Sequence, residues 1–389
     1  MKLKLLASAL LTCGVMAVGP TDAIAAPPGT AAALDNCCSA GDRDFPKVGG
    51  NLGNQNYSSL AKINKGTIKI LGGAWLNRIE GGINTGENQS TPIALDGVIY
   101  VESALGAVVA VDGATGQTKW KYPGKGVQTR RGVAAGGGLV YTNARGGYVV
   151  ALNKDTGQVA WEVQPGAQFG NVGKVAMIYH DGLVYVGTTD ANRNAALALD
   201  AKTGATVWSF YGAAAPGTPG GDTWGPIDNK CYLTGGAAPW IHPAIDPELN
   251  TVYWTFGNAR GCRSSQDGSL RPGQNLFSSS IVAIDLKTGA YKWHFQSVHH
   301  NIWDMDNVMA PVLADVRIDN KPRKAVVYGS KVGMFYILDR VDGSPLLGIE
   351  ERPVPQDVRQ NTWPTQPYPK QGPWTEICVV NQPLGTEVP

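Results

Sequence analysis

The chain has 389 residues, of which 50 are Gly and 25 are Pro, and 43% of its residues are hydrophobic. This composition favours many short strands and turns over long helices, and it excludes a wholly disordered chain. The formal net charge of +2, without a basic block, argues against nucleic acid as a partner.

The N-terminus has the pattern of an export signal. Two lysines precede an apolar run over residues 5–18, and small residues suited to cleavage follow at 23–25. The run is shorter than the ~20 residues of a transmembrane helix; an acylated Cys13 is a less favoured alternative. We therefore predict a signal peptide over residues 1–26, an N-terminal segment over residues 27–43, and a periplasmic or secreted protein without a transmembrane segment.

One pattern recurs along the chain: alternating apolar residues, then Asp or Asn, a short turn with Gly, and a Trp. Four copies have the Trp at the same offset and a fifth, weaker copy ends in Leu; they occupy residues 110–120, 151–161, 198–208, 283–293 and 337–347. The alternation predicts a half-buried strand, the Asp caps the turn, and Gly supplies its positive φ. Two hairpins in each ~40–45 residues are typical of a four-stranded propeller blade. The sequence therefore predicts an all-β fold, a β-propeller.

These repeats resemble the tryptophan-docking motif of the PQQ-dependent (quinoprotein) alcohol/glucose dehydrogenase family, and residues 44–63 resemble the opening segment of that family. The resemblance covers residues 44–389. It implies a propeller of four-stranded antiparallel blades, eight in the family and about five here, so we expect an incomplete domain truncated at its C-terminus. It also implies the cofactor pyrroloquinoline quinone (PQQ) and a divalent metal, Ca²⁺, or a lanthanide or Mg²⁺ in its place.

The segment HHNIWDMDN at residues 299–307 holds two closely spaced carboxylates, Asp304 and Asp306. Such a pair suits both proton abstraction from a hydroxyl group and metal ligation by hard oxygen atoms. From spacing alone, a solvated loop is an equally good interpretation. The resemblance implies that Asp304 is the catalytic base and a metal ligand, and that Asp306 is a further metal ligand.

Three other segments contribute candidates, all with a structural alternative. In GGDTWGP, Trp224 can present an exposed indole face to a planar ring, and the resemblance makes Trp224 and Thr223 cofactor-binding residues; the alternative is a core Trp. In FGNARGC, Asn258 matches a metal-ligating Asn, although Asn is equally natural in a turn. Lys331 matches a catalytic, cofactor-binding cation that stabilises negative charge on the quinone, although a lone Lys before a strand is usually solvated.

The resemblance adds three weaker candidates. Arg131 suits a cofactor carboxylate, with a solvated surface arginine as the alternative. Gln89 stands where relatives have a cofactor-contacting Glu, and Asp190 replaces a metal-ligating Glu. The adjacent cysteines that precede this Arg in alcohol-oxidising relatives are missing, which leaves the substrate open.

Cysteine usage is compatible with export. No CxxC or CxxCH occurs, which excludes a zinc ribbon and a c-type haem within this sequence. Disulfides are permitted outside the cytoplasm. Cys231 and Cys262 could close a loop of the long insertion, while Cys37, Cys38 and Cys378 offer alternative pairings.

The reaction implied by the resemblance is oxidation of an alcohol, polyol or aldose. Asp304 accepts the hydroxyl proton while hydride passes to the quinone, and Lys331 and the metal polarise the receiving carbonyl. Cytochrome c or ubiquinone is the expected electron acceptor. The alternative is a non-enzymatic propeller of the same repeat family, acting as an envelope scaffold, which has no reason to keep Trp224 and Asn258 in these contexts. A third possibility is a fragment that binds PQQ weakly.

Overall fold

The computed structural model describes residues 36–39, 41, 43–79, 88–126, 131–165, 171–189, 193–262 and 268–373. The predicted signal peptide, Asp190 and Cys378 lie outside these residues. Within them the regular structure is almost entirely β-strand, with antiparallel pairing throughout. The described helical elements are short: Ile68–Ile70, Ile227–Asn229 and α1 (Cys231–Thr234). No helix of this described part is long and apolar enough to cross a membrane.

Four sheets follow one another along the chain, and each contains four strands paired in chain order. The first is β1 (Ile93–Leu95), β2 (Val98–Glu102), β3 (Val108–Asp112) and β4 (Thr118–Tyr122); the second is β5 (Ala134–Gly136), β6 (Leu139–Ala144), β7 (Tyr148–Asn153) and β8 (Val159–Val163). The third is β10 (Ile178–His180), β11 (Leu183–Thr189), β12 (Ala195–Asp200) and β13 (Thr206–Tyr211), with β9 (Asn171–Val172) paired to β11. The fourth skips two strands of an insertion: β15 (Ala244–Asp246), β16 (Thr251–Thr255), β18 (Ser280–Asp285) and β19 (Tyr291–Gln296).

The remaining strands form smaller sheets. The insertion between the third and fourth repeats contains a two-stranded ribbon, β14 (Gly235–Gly236) with β17 (Arg260–Gly261). A three-stranded sheet follows, β20 (Val312–Ile318), β21 (Lys321–Gly329) and β22 (Phe335–Asp339), and then a hairpin, β23 (Ile349–Pro353) with β24 (Thr365–Pro369). The predicted all-β architecture with four-stranded antiparallel blades is therefore confirmed.

Each repeat turn is capped by its acidic or amide side chain, as the sequence predicts. Asp112 Oδ1 accepts hydrogen bonds from the backbone N–H groups of Ala114 and Thr115 and from the Thr115 hydroxyl. Asn153, Asp200 and Asp285 do the same in the next three sheets. The bonds from Thr115 lower the pKa of Asp112, so this cap is retained at neutral pH.

Each docking tryptophan connects its own sheet to the following one. The indole N–H of Trp120 donates to the carbonyl oxygen of Lys154 at 2.9 Å, and a Cβ atom added at Gly157 would lie 2.6 Å from the Trp120 ring. Only glycine tolerates this close approach at a positive φ. The same pairing of a ring with the turn glycine of the next sheet recurs at Trp161 with Gly204, Trp208 with Gly289, and Trp293 with Gly343.

Trp75 is a further docking tryptophan that the repeat pattern does not reveal. Its indole N–H donates to the carbonyl oxygen of Gly113 at 3.0 Å, and its ring covers Gly116 in the first sheet. The segment around it lacks the Asp-turn-Gly sequence. The spacing of 45 residues to Trp120, within the range of the other repeat intervals, is the signal that could have identified it.

Replacing the turn glycine should separate backbone strain from loss of tryptophan docking. Gly157→Ala places a Cβ against Trp120 at φ +71°, whereas Gly138→Ala meets a comparable φ of +80° with no atom within 4 Å. We expect the control to cost about 1 kcal/mol in free energy of unfolding from φ alone, and Gly157→Ala about 1–3 kcal/mol more from overpacking. Chemical denaturation measures both. Equal losses would contradict a docking role for the Trp120–Gly157 contact.

Candidate functional site

Two carboxylates lie on the loop that follows β19. The Asp304 side chain is 59% exposed and the Asp306 side chain only 9%. Asp304 has a left-handed backbone with φ 63°, and its carbonyl oxygen accepts the N–H of Asp306 at 3.0 Å. This turn therefore presents one carboxylate to solvent and buries the other.

Lys331, two residues after the end of β21, connects the two carboxylates. Its Nζ atom lies 3.1 Å from Asp304 Oδ2 and 2.8 Å from Asp306 Oδ2, and it also donates to the Asp304 carbonyl oxygen at 2.9 Å. The backbone N–H of Lys331 donates to the Asp306 carbonyl oxygen, which fixes the two segments side by side. Burial alone would lower the pKa of Lys331, but the hydrogen bond and charge of Asp306, and then those of Asp304, raise it above the ordinary lysine value. The ammonium group therefore stays protonated at neutral pH.

Asn258 joins the same cluster from the loop after β16. Its backbone N–H donates to Asp306 Oδ1 at 2.6 Å, and its side-chain oxygen accepts Arg260 Nε at 3.3 Å. The preceding Gly257 is required sterically, because an added Cβ would lie 2.5 Å from Asp306 Oδ1 and 2.9 Å from Trp240 Nε1. The amide and carboxylate oxygens gathered here are of the kind that hard divalent cations prefer.

A cavity of about 210 Å³ opens beside this cluster. Three of its lining side chains are cationic, one is the half-buried ring of Trp240, and Asp306 contributes the carboxylate. The lining comprises Arg131, Lys174, Thr189, Asn194, Ala238, Trp240, Gly257, Asn258, Arg260 and Asp306. Asp304 does not line the cavity. Lys331 connects its carboxylate to that of the lining residue Asp306. Such a cavity favours an anionic ligand with a flat ring.

Arg131 and Trp240 form one wall of the cavity. The Arg131 guanidinium carbon lies 4.7 Å from the centroid of the Trp240 ring. Arg131 Nε is buried and has no hydrogen-bond partner among the described residues. Burial lowers the pKa of this arginine from its very high ordinary value. A buried donor without an acceptor is costly, so this wall is suited to receive an acceptor atom from a ligand.

The structure corrects the expectation of an exposed indole at Trp224. The side chain is 1% exposed and its N–H donates to the Leu276 carbonyl oxygen. Its ring packs against Gly235 and shares a small core with the paired cysteines Cys231 and Cys262, because the insertion folds over it. Trp224 is not among the residues that line the cavity; it shares its core with Ala259, which lies in sequence between the lining residues Asn258 and Arg260.

Two other candidates also stay outside the cavity lining. The Thr223 hydroxyl donates to the Gly220 carbonyl oxygen and accepts the Leu276 N–H, which is a structural use of the side chain. Gln89 is exposed.

The structure pairs Cys37 with Cys38 as a second disulfide, packed near Leu313 of β20. Asp190 cannot be compared, since it lies outside the described residues.

The family of the chain follows from comparison with known proteins. Residues 45–136 and 174–382 match the PQQ family model of the glucose/ethanol/alcohol dehydrogenase β-propeller domain. The chain belongs to this PQQ dehydrogenase propeller family. The quinohemoprotein alcohol dehydrogenase of Comamonas testosteroni is 32% identical over 329 residues, which are 77% of this chain and 45% of that protein. The quinoprotein glucose dehydrogenase of Escherichia coli K12 is 26% identical and covers 84% of this chain and 46% of its own length.

Solved structures agree with this membership of the PQQ dehydrogenase propeller family. The crystal structure of the Comamonas testosteroni enzyme superposes with a TM-score of 0.71 at 31% identity, covering 82% of this chain and 52% of the other. A europium-containing methanol dehydrogenase has the same TM-score at 23% identity and supports the fold. The chain spans about half the length of the curated relatives it matches.

Within this family propeller, sequence reasoning missed Trp240, Lys174 and Arg260. Trp240 carries the same signal that led to Trp224, a tryptophan in a Gly-rich part of the insertion. Sequence alone does not say which of the two rings the insertion covers. The two cations carry no motif, and only the folded arrangement brings them to the cavity.

His242, which is close enough to Arg131 to respond to its charge, makes the stability of the fold depend on pH. Burial, and then the charge of Arg131, lower the pKa of His242 to about 4. A group with a folded-state pKa below its ordinary value of ~6.5 contributes stability above pH 6.5, and that stability is lost as the pH falls towards 4. We expect a contribution of about 3 kcal/mol between pH 7 and pH 4. Free energies of unfolding across this range should depend less on pH in His242→Gln than in the wild type; parallel curves would contradict this assignment.

Proposed function

We propose that the chain is a PQQ- and metal-dependent dehydrogenase that oxidises an alcohol, a polyol or an aldose. One observation carries the proposal: five separate segments bring a flat ring and a cationic wall to a single cavity, together with a lysine-bridged carboxylate pair of which Asp306 lines that cavity. These are Trp240, Arg131, Asn258 and the Asp304–Asp306–Lys331 cluster. A scaffold propeller has no physical need for this combination.

The cavity residues fit PQQ, a planar molecule with three carboxylates. The orphaned Arg131 Nε supplies a donor for a carboxylate oxygen, and guanidinium groups bind carboxylates well. Lys174 and Arg260 add positive charge to the same lining. We assign the stacking position to Trp240, because its ring faces the cavity whereas Trp224 is buried.

The metal would be held by oxygen atoms of Asp304, Asp306 and Asn258, with Asp190 as a further proposed ligand. Carboxylate and amide oxygens favour Ca²⁺, a lanthanide or Mg²⁺ over soft metals. Among the described residues Asp306 and Asn258 lie side by side, since the backbone N–H of Asn258 donates to Asp306 Oδ1.

Bound PQQ would supply the two-electron acceptor for hydride leaving the substrate carbon. The residues of the chain then have separate tasks. Asp304, the exposed carboxylate, takes the proton of the substrate hydroxyl group. Lys331 holds a protonated ammonium in contact with that carboxylate, and it would stabilise the negative charge that develops on the quinone. Electrons would pass on to cytochrome c or ubiquinone, and the expected export signal would place the reaction in the periplasm.

Reconstitution tests the proposal directly. Adding PQQ with Ca²⁺ or a lanthanide to the purified chain should produce dye-linked oxidation of at least one member of a panel of alcohols, polyols and aldoses. Asp304→Asn should lower kcat by about 10²–10⁴-fold because it removes the general base, without changing the melting temperature. Asp319→Asn, in the exposed turn between β20 and β21, is the control and should keep full activity. A chain that binds no PQQ with any of these metals would exclude the dehydrogenase function.

Substitutions of Trp240 and Trp224 should differ in their effects on PQQ binding and on stability. We expect Trp240→Ala to weaken PQQ binding by about tenfold or more, equivalent to ~1.4 kcal/mol of lost stacking, with little loss of stability. Trp224→Ala should instead lower the melting temperature, since it empties a buried core site. Titration of PQQ into the Ca²⁺-loaded chain, followed by calorimetry, measures the first effect. The opposite pattern would return the stacking role to Trp224.

A further inference from the structure

The loop that carries Asp304 has an unusual backbone. Two of its non-glycine residues, His300 at φ 48° and Asp304 at φ 63°, adopt the left-handed region. Such residues persist only where the surrounding structure holds them. The groups that hold this loop are therefore relevant to where the Asp304 carboxylate points.

Asn301 holds the turn from inside. Its side chain is fully buried, and its Oδ1 atom accepts the backbone N–H groups of Trp303 at 3.0 Å and Met305 at 3.2 Å. Its Nδ2 atom donates to the Met305 carbonyl oxygen at 2.9 Å and to the Ser279 hydroxyl at 2.7 Å. Asp304 lies at the apex between the two residues that Asn301 binds. One amide side chain thus fixes the backbone on both sides of Asp304.

Further contacts connect Asn301 to the cavity. The buried Arg271 donates to the Asn301 carbonyl oxygen at 2.9 Å. Ser279, which accepts from Asn301, donates its backbone N–H to the carbonyl oxygen of Gly257, the residue before Asn258. The position of Asp304 is therefore tied to the wall that contains Asn258.

A second side chain, Gln366, holds His299 near the start of the loop. Gln366 of β24 is 2% exposed; its Oε1 atom accepts the backbone N–H of His299 at 2.8 Å and its Nε2 atom donates to the His299 carbonyl oxygen at 3.0 Å. The His299 ring also contacts Glu351 of β23 at 3.0 Å. The β23–β24 hairpin thereby anchors the start of the loop.

We propose that Asn301 is a positioning residue for the Asp304 base, with Gln366 as its outer support. This role rests on the dehydrogenase function proposed above. Asn301 does not touch the cavity; it acts by holding the turn so that the Asp304 carboxylate stays beside Lys331. A misplacement of about 1 Å at such a group can cost about 10²-fold in rate.

Graded variants test the proposal. Asn301→Ala removes all four side-chain hydrogen bonds and should lower kcat about 100-fold. Asn301→Asp keeps an acceptor for the Trp303 and Met305 N–H groups but cannot donate to the Met305 carbonyl oxygen, so we expect a smaller loss of about tenfold. The KM for substrate and the Kd for PQQ should stay within about twofold of wild type, because the cavity lining is intact. If Asn301→Ala fails to fold, Gln366→Met tests the same role from a position farther from Asp304. This variant should lower kcat several-fold.

Asn64→Ala is the matched control. Asn64 lies in an exposed turn remote in sequence from the site, and its Oδ1 atom likewise accepts two backbone N–H groups, those of Gly66 and Thr67. This variant should retain wild-type kcat. A purely structural role for Asn301 would instead lower the melting temperature and PQQ affinity while leaving kcat per bound cofactor unchanged, and that result would overturn the proposal.

Hydrogen exchange separates this role from the dehydrogenase function. Measured on the protein without added cofactor, amide exchange in the peptide covering residues 299–306 should be faster in Asn301→Ala than in wild type, and unchanged in Asn64→Ala. Unchanged exchange in Asn301→Ala would overturn the positioning role alone. A wild-type chain that bound no PQQ would overturn the dehydrogenase function and this role with it.

Discussion

The contact between a tryptophan ring and the turn glycine of the next sheet is the constraint on which the architecture depends. A short four-stranded antiparallel sheet buries little by itself, and each sheet here obtains its second layer from its neighbour. The glycine must keep a positive φ and must lack a Cβ, as at Gly157 beneath Trp120. Each repeat therefore fixes the position of the following sheet, and the loops between strands lie at defined positions.

These defined loop positions bring residues that are distant in sequence close to one cavity. Arg131 precedes the second sheet, Asn258 follows β16, and Lys331 follows β21, yet all three lie around Asp306 or the cavity that it lines. One ammonium group bridges two carboxylates, so each carboxylate has a cationic partner in the partly buried cleft.

The repeat, the four-stranded blades and the capped turns could be predicted because each depends on local sequence periodicity. Asp304, Asp306 and Lys331 could be proposed because their segments resemble those of the family, and in the structure Lys331 contacts both carboxylates. The choice between Trp224 and Trp240 could not be made in this way. Which ring is covered depends on how the insertion folds over Gly235 and the Cys231–Cys262 pair, and that packing leaves no periodic signal.

Asn301 illustrates the same limit in a polar residue. Within HHNIWDMDN an Asn is as natural in a solvated loop as in a buried one, and only the folded structure shows all of its hydrogen-bonding atoms turned inward. Because Asn301 is buried, an amide without hydrogen-bond partners in that position would cost free energy of folding. The observed arrangement of the loop satisfies the side chain of Asn301, and in it Asp304 is at the apex and in contact with Lys331. We infer that the geometry of the proposed base is set by a residue that never reaches the cavity.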